Sequence, residues 1–210
     1  IDMCLGKILD AVEAREDADN TVICFFADHG EHLGDHHAWQ KESFFEASCR
    51  VPFLVSWPKE LPADTRNDAL VGLTDLFGIA TSAAGSPAFR DGIDVLSVAT
   101  NSAPGREALI GYYGKPGTTA FKVMVRSEEW KYIYMANGGR EQLFNLDEDP
   151  DECALQNTSA PEVLRRLRQT AVEACYKPGV SDALEGSELK AFPYTQFDRE
   201  NRIIQMDRSR

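Results

Sequence analysis

The chain has 210 residues and a formal net charge of -12, which is long enough for one sizeable domain or for a partial domain joined to a small second one. The acidic excess excludes a broad nucleic-acid surface, because phosphate binding needs clustered lysine and arginine, and no apolar run approaches the roughly 20 residues of a membrane span. Five scattered cysteines without a C-x-x-C pair argue against a disulfide scaffold or a zinc site and leave the cellular compartment open.

The first elements of the chain predict an α/β core. An N-terminal amphipathic helix is indicated by four apolar residues at helical spacing, Leu5, Ile8, Leu9 and Val12. Residues 21–27 are rich in branched and aromatic side chains, which predicts a strand buried on both faces. A helix followed by a buried strand is half of a β-α-β unit, and this order is typical of α/β folds.

Two more elements are predicted in this half of the chain. Residues 51–57 form a second apolar run, closed by Pro58, and predict another strand. Thr74 is a candidate N-cap for a helix that ends at Gly85. The apolar face of this helix consists of Leu76, Ile79, Ala80 and Ala83.

The second half of the chain changes to short strand candidates. They are residues 108–113, 119–126, 129–135 and 142–146. The sequence Asn137-Gly138-Gly139 supplies a turn before the fourth, so a meandering antiparallel sheet is the simplest arrangement. A helix that begins near Pro161 is predicted to cover the apolar face of this sheet.

The remaining residues, 176–210, show little periodicity and predict an extended tail along the surface. Several large apolar side chains in this tail suggest an arm for homo-oligomerisation. These side chains are Phe192, Tyr194, Phe197, Ile203 and Ile204.

Polar side chains are concentrated after the first predicted strand. This stretch begins with Asp28-His29-Gly30-Glu31 and contains all 4 histidines of the chain. In open α/β sheets, ligands gather at the carboxyl ends of the strands. A carboxylate beside an imidazole can bind one divalent cation if other segments complete its shell. The alternative interpretation is a polar surface loop without a function.

The residues after this strand also carry an ordered pattern. From Asp28 to Lys41 the chain follows D-H-G-E-x-L-G-D-H-x-x-x-x-K, and residues 44–52 follow F-F-E-x-S-x-R-V-P before an apolar strand that ends in Trp57-Pro58. Downstream matches are Thr74-Asp75-Leu76-Phe77, Asp91-Gly92, Trp130-Lys131-Tyr132 and Gln142-Leu143-Phe144-Asn145-Leu146-Asp147. The whole series resembles the sulfatase family, which also includes phosphonate monoester hydrolases, and it extends to about residue 175.

The resemblance implies an α/β fold in three parts. Residues 1–104 would be the C-terminal part of an alkaline-phosphatase-like α/β core that carries half of the metal site. Residues 105–175 would be a small antiparallel four-stranded sheet packed against a helix, and residues 176–210 the tail.

The resemblance also implies roles for individual residues. Asp28 and His29 correspond to two ligands of the active-site divalent cation, which is expected to be Ca²⁺, with Mn²⁺ as an option because one ligand is an imidazole. Lys41 corresponds to the lysine that binds a charged oxygen of the sulfate or phosphoryl group. His36 is implied to line the site or to assist protonation of the leaving group. His37 stands where glycine is common in the family.

The nucleophile of the family is missing from this chain. Members use a cysteine or serine in C/S-x-P-x-R, matured to formylglycine, and in Cys49-Arg50-Val51-Pro52 the proline comes one position late. An Asp-Asp pair of metal ligands is missing too, so both are expected upstream and the chain alone is expected to be inactive. The resemblance implies hydrolysis of a small sulfate ester by the full-length enzyme. A phosphonate or phosphate ester hydrolase and a non-catalytic binding homologue are the alternatives.

Overall fold

The computed structural model describes residues 1–127 and 129–196. The chain divides into two compact units, Ile1–Leu109 and Ile110–Arg210. The sequence-based division into residues 1–104, 105–175 and 176–210 stays a prediction. Among the described residues, no helix combines the length and the apolar character that crossing a membrane requires.

The first unit contains four α-helices and a two-stranded sheet. Its elements are α1 (Asp2–Glu13), β1 (Ile23–Phe26), α2 (Glu46–Cys49), β2 (Phe53–Ser56), α3 (Asp75–Ala83) and α4 (Val95–Ala99). Strands β1 and β2 pair antiparallel, with Ile23 opposite Ser56 and Phe26 opposite Phe53. Both helices and both strands predicted from the sequence for this half of the chain are therefore present.

The burial predicted for β1 on both faces is wrong. Phe25 and Phe26 are 39% and 44% exposed. Within the described residues β1 has β2 as its strand neighbour and forms a sheet of two strands. The described neighbours of this narrow sheet do not cover both of its faces, and the apolar run of β1 thus remains partly open to solvent.

The N-terminus of α3 is held by Asp75 instead of the predicted cap Thr74. The Thr74 side chain makes no capping hydrogen bond. The buried carboxylate of Asp75 accepts hydrogen bonds from the backbone N–H of Gly72 at 2.7 Å and of Ile93 at 2.9 Å, and it pairs with Arg106 at 2.5 Å. One carboxylate therefore joins three segments, a role that the short hydroxyl of Thr74 does not fill.

The second unit contains the predicted antiparallel sheet and its helix. The elements are β3 (Leu109–Tyr113), β4 (Lys122–Ser127), β5 (Trp130–Met135), β6 (Arg140–Asn145) and α5 (Pro161–Cys175). The strands lie in sequential order, and β5 pairs antiparallel with β4 and β6. Gly138 and Gly139 have φ of 85° and 57°, which glycine adopts without steric cost, so the predicted turn before β6 is confirmed.

Helix α5 packs on β4 and β5 through its buried residues Leu167, Ala171, Val172 and Cys175. A polar anchor fixes this helix to the sheet. Arg168 donates two hydrogen bonds to Glu141, at 2.6 and 2.5 Å, and the Tyr132 hydroxyl donates a third at 2.6 Å. Burial alone would raise the pKa of Glu141, but these donors outweigh burial and lower the pKa below its ordinary value.

Residues after α5 fold onto the second unit. Strands β7 (Leu184–Glu185) and β8 (Glu188–Leu189) form a short hairpin. Phe192 then pairs with the turn before β6, because its N–H donates to the Ala136 carbonyl at 2.9 Å and its carbonyl accepts from Gly138 at 3.0 Å. Residues 184–192 of the predicted tail therefore contain a short hairpin and a backbone pairing with the turn before β6. Phe197, Ile203 and Ile204 lie outside the described residues, and the oligomerisation arm stays a prediction.

Candidate active site at the end of the first strand

Three side chains singled out by the sequence meet just beyond β1. The His29 Nε2 atom lies 3.4 Å from Asp28 Oδ2 and 2.6 Å from Lys41 Nζ. The backbone N–H of His29 also donates to Asp28 Oδ1 at 3.0 Å. A carboxylate, an imidazole and an ammonium group thus share one small region of the surface.

The protonation of His29 follows from its neighbours. Its Nδ1 atom lies 2.7 Å from the carbonyl oxygen of Gly30. A carbonyl only accepts hydrogen bonds and an ammonium only donates them, so this pair of neighbours assigns the proton to Nδ1 and the lone pair to Nε2. Lys41 donates to this lone pair. Because Nε2 has one lone pair, it can bind either a metal cation or the Lys41 ammonium, but not both.

Asp28 and His29 fit two positions of a divalent-cation site. Both side chains reach solvent, with 83% of the Asp28 side chain and 35% of the His29 side chain exposed. The Nδ1 contact to a backbone carbonyl is the kind of support that usually orients a metal-binding imidazole. The described parts of the chain contain no group of three or more histidine, cysteine, aspartate or glutamate residues that could hold a metal ion. A divalent cation held by these two side chains would need further ligands from elsewhere, because a hard cation takes about six or more.

A closed loop brings Lys41 back to the strand end. Lys41 and His29 are 12 positions apart in sequence. The loop between them is joined at its base, where the N–H of His32 donates to the Gln40 carbonyl at 3.0 Å and the N–H of Gln40 donates to the Glu31 carboxylate. The two ends of the loop therefore lie side by side, which places the ammonium against the imidazole.

Gly30 occupies a position that no larger residue could fill. A Cβ atom on Gly30 would lie 2.1 Å from the carbonyl oxygen of Ala47 in α2. The N–H of Gly30 donates to the Ser48 carbonyl at 2.7 Å. The glycine after the Asp28-His29 pair is thus required by this close backbone approach.

His36 occupies a different environment from the other predicted site residues. Its exposed ring stacks on Phe45 with centroids 3.8 Å apart and an angle of 6° between the planes, and it meets His32 edge-on at 6.3 Å. Within residues 1–127 and 129–196 the His36 side chain makes no hydrogen bond. Its predicted role in protonating a leaving group stays a prediction.

His32, to which the sequence gives little weight, is the buried histidine of the loop. It is 2% exposed and its Nε2 atom lies 2.7 Å from the Ser43 hydroxyl. Its Nδ1 atom is buried without a partner among the described residues. The buried His32 ring thus packs inside the loop. The sequence of a polar loop has no apolar periodicity, so it did not predict this burial.

His37 adopts a left-handed backbone conformation with φ of 55°. A residue with a Cβ atom pays about 1–2 kcal/mol there, which accounts for the glycine that is common at this position in the family. We expect His37→Gly to raise the free energy of unfolding by about 0.5–1 kcal/mol, since this relief exceeds the entropy that glycine adds to the unfolded chain. Urea denaturation of the chain measures this change. His37→Ala is the matched control, because it removes the ring and keeps Cβ; an equal gain in both variants would contradict the explanation.

The chain is similar to a known family and to known proteins. Residues 1–86 match the family model described as Sulfatase. The choline-sulfatase of Rhizobium meliloti (strain 1021) is 33% identical over 157 residues, which cover 72% of this chain and 30% of that protein. Arylsulfatase K of Mus musculus is 29% identical over 203 residues, which cover 91% of this chain and 36% of that protein.

Solved structures share the fold. BT4656 in complex with its substrate D-glucosamine-2-N,6-O-disulfate matches with a TM-score of 0.72 and 22% identity, over 86% of this chain and 39% of that chain. The phosphonate monoester hydrolase of Agrobacterium radiobacter matches with a TM-score of 0.70 and 22% identity, over 82% of this chain and 38% of that chain. The chain belongs to the sulfatase family, for which a divalent metal cofactor is general. It spans about a third of the length of the relatives that it matches.

Proposed function

We propose that the full-length protein hydrolyses a small sulfate ester and that Asp28, His29 and Lys41 belong to its active site. The observation that supports this proposal is the contact of His29 Nε2 with Lys41 Nζ at 2.6 Å, next to the Asp28 carboxylate at 3.4 Å. Positive charge beside the sulfate oxygens stabilises the negative charge that develops during hydrolysis. A cation held by Asp28 and His29 and the ammonium of Lys41 supply that charge from adjacent positions.

The cofactor of this site is proposed to be Ca²⁺, with Mn²⁺ as the alternative. Carboxylate oxygens are the ligands that Ca²⁺ prefers, whereas the imidazole of His29 also suits Mn²⁺. When bound, the cation would polarise the oxygens of the sulfate group. Asp28 would supply negative charge to this cation, and the Gly30 carbonyl would keep the His29 proton on Nδ1 so that Nε2 stays available.

Lys41 is proposed to bind the sulfate group and to neutralise charge as the alcohol departs. Its ammonium now donates to His29 Nε2. A metal that occupies this lone pair would free the ammonium to bind an anionic oxygen. Metal binding would therefore make Lys41 available to the sulfate group. The nucleophile, proposed to be a formylglycine, and the other metal ligands would be supplied by a part of the protein outside this chain.

A phosphonate or phosphate ester hydrolase is the second candidate, because the phosphonate monoester hydrolase of Agrobacterium radiobacter shares the fold at a TM-score of 0.70. Sulfate and phosphonate groups are both tetrahedral anions, and an ammonium beside a cation would bind either one. A binding homologue without catalysis is disfavoured by the convergence of the three side chains, since folding alone does not require it.

The test is a paired assay of the full-length protein with an aryl sulfate and an aryl phosphonate. We expect a higher kcat/KM for the sulfate, and Lys41→Met should lower this value by about 10²–10³-fold, as loss of a charge-stabilising donor does. Lys59→Met, which removes an exposed lysine on another loop, is the control and should leave kcat/KM unchanged. Faster turnover of the phosphonate would support the second candidate, and turnover unaffected by Lys41→Met would contradict the role of Lys41.

A further inference from the structure

Ser48 lies at the junction between the two halves of the candidate site. It belongs to the short helix α2 and is 3% exposed. Its backbone N–H donates to the Phe45 carbonyl at 2.9 Å, so the helical turn fixes the position of its backbone. The sequence pattern includes this serine, but no catalytic chemistry is evident from its type alone.

The backbone of Ser48 holds the first half of the site. Its carbonyl oxygen accepts the N–H of Gly30 at 2.7 Å, and the Gly30 carbonyl in turn accepts the Nδ1 proton of His29 at 2.7 Å. A Cβ atom on Gly30 would collide with the preceding residue of α2, so the two backbones are in direct contact. The orientation of the imidazole is thus tied to α2.

The side chain of Ser48 holds the second half. Its hydroxyl donates to the Lys41 carbonyl at 2.5 Å and lies 3.2 Å from the Ser43 carbonyl. A serine within a helix commonly bonds the carbonyl four residues earlier in the same helix. The carbonyls bonded here are 7 and 5 positions earlier and lie outside α2, so the hydroxyl joins two segments of chain instead of closing its own turn.

We propose that Ser48 is a positioning residue that holds the Lys41 ammonium against His29. One residue binds the backbone next to the imidazole through its carbonyl and the backbone of the lysine through its hydroxyl. Without the hydroxyl, the Lys41 carbonyl keeps the N–H of Ser43 at 2.8 Å as a donor but loses its tie to α2. The lysine backbone is then free to shift relative to the imidazole, although neither catalytic group has changed.

The first readout of the test does not depend on activity. In the full-length protein freed of divalent metal with a chelator, where Lys41 keeps its contact with His29, acetic anhydride labels lysine amines, and peptide mass spectrometry measures the rate for Lys41 relative to Lys7 and Lys59. The ammonium of Lys41 must leave His29 before it reacts. We expect Ser48→Ala to raise the relative rate at Lys41 about three- to tenfold, the shift that loss of one neutral hydrogen bond produces.

The second readout rests on the proposed function. Ser48→Ala should lower kcat/KM for the aryl sulfate about tenfold, mainly through kcat, and Ser48→Thr, which keeps the hydroxyl, should restore most of the loss. Ser43→Ala is the matched control: it removes the hydroxyl that binds His32 in the same segment and leaves the bond from Ser48 to Lys41 in place. If Ser48→Ala does not fold, Ser48→Cys, a weaker donor of similar size, takes its place.

The outcomes separate the two proposals. Faster labelling of Lys41 in Ser48→Ala, in a protein that hydrolyses neither ester, supports the positioning role and contradicts the proposed function. Labelling and kcat/KM that match the wild type, in a protein that is an active sulfatase, contradict the positioning role and leave the function intact. Equal effects of Ser43→Ala and Ser48→Ala on the labelling of Lys41 also contradict it, since general loosening of the loop would then suffice.

Discussion

Lys131→Met is expected to lower the free energy of unfolding of the β4–β6 region by about 3–5 kcal/mol, the usual cost of removing one charge of a buried ion pair. The Lys131 ammonium lies 2.8 Å from the Glu152 carboxylate, and both side chains are 1% exposed. Glu152 follows β6 in the loop that leads to α5, so the pair fastens this loop to the central strand β5. Hydrogen exchange of β4–β6 in increasing urea measures the change.

The double variant Lys131→Met/Glu152→Met shows whether the loss of stability comes from the carboxylate left buried or from the loss of the ion pair itself. It should recover most of the stability, because a buried ion pair replaced by apolar residues of similar volume is often close to neutral. Arg165→Met is the control in the same unit, since its pair with Glu162 is solvent-exposed and should contribute little. A loss below about 1 kcal/mol in Lys131→Met would show that the pair is not buried in solution.

Much of the fold could be predicted from the sequence, because it rests on local patterns. The alternation of Phe121, Val123 and Val125 with Lys122, Met124 and Arg126 predicts β4. The turn at Gly138-Gly139 predicts the pairing of β5 with β6. The predicted contact of carboxylate, imidazole and ammonium came from the resemblance to the sulfatase family. The spacing from Asp28 to Lys41 alone does not reveal that the loop closes.

The features that the sequence did not reveal depend on contacts between distant segments. The exposure of Phe25 follows from the number of strands beside β1, which its own residues do not encode. Asp75 replaces Thr74 as the anchor of α3 because Ile93 and Arg106 approach it from elsewhere in the chain. The role of Ser48 likewise depends on carbonyls outside its helix. Single polar residues of this kind carry no periodic signal.

Among the site residues, loss of Asp28 or His29 is expected to weaken the binding of the divalent metal most. Loss of a group that only supports a metal ligand weakens metal affinity by about 10–100-fold. In the full-length protein, Asp28→Ala and His29→Ala each remove a proposed ligand itself, so each should weaken divalent-metal affinity by more than this. Asp35→Ala is the matched control, because it removes an exposed carboxylate from the same loop. The isolated chain should bind the metal weakly, since two donors cannot close its shell.

Calorimetric titration of the full-length protein with Ca²⁺ and with Mn²⁺ is the most direct measurement of this site. We expect one divalent ion per wild-type chain, unchanged binding by Asp35→Ala, and binding reduced by more than about a hundredfold in Asp28→Ala and in His29→Ala. Wild-type affinity in either of these last two variants, or tight binding by residues 1–210 alone, would contradict a metal site at the end of β1.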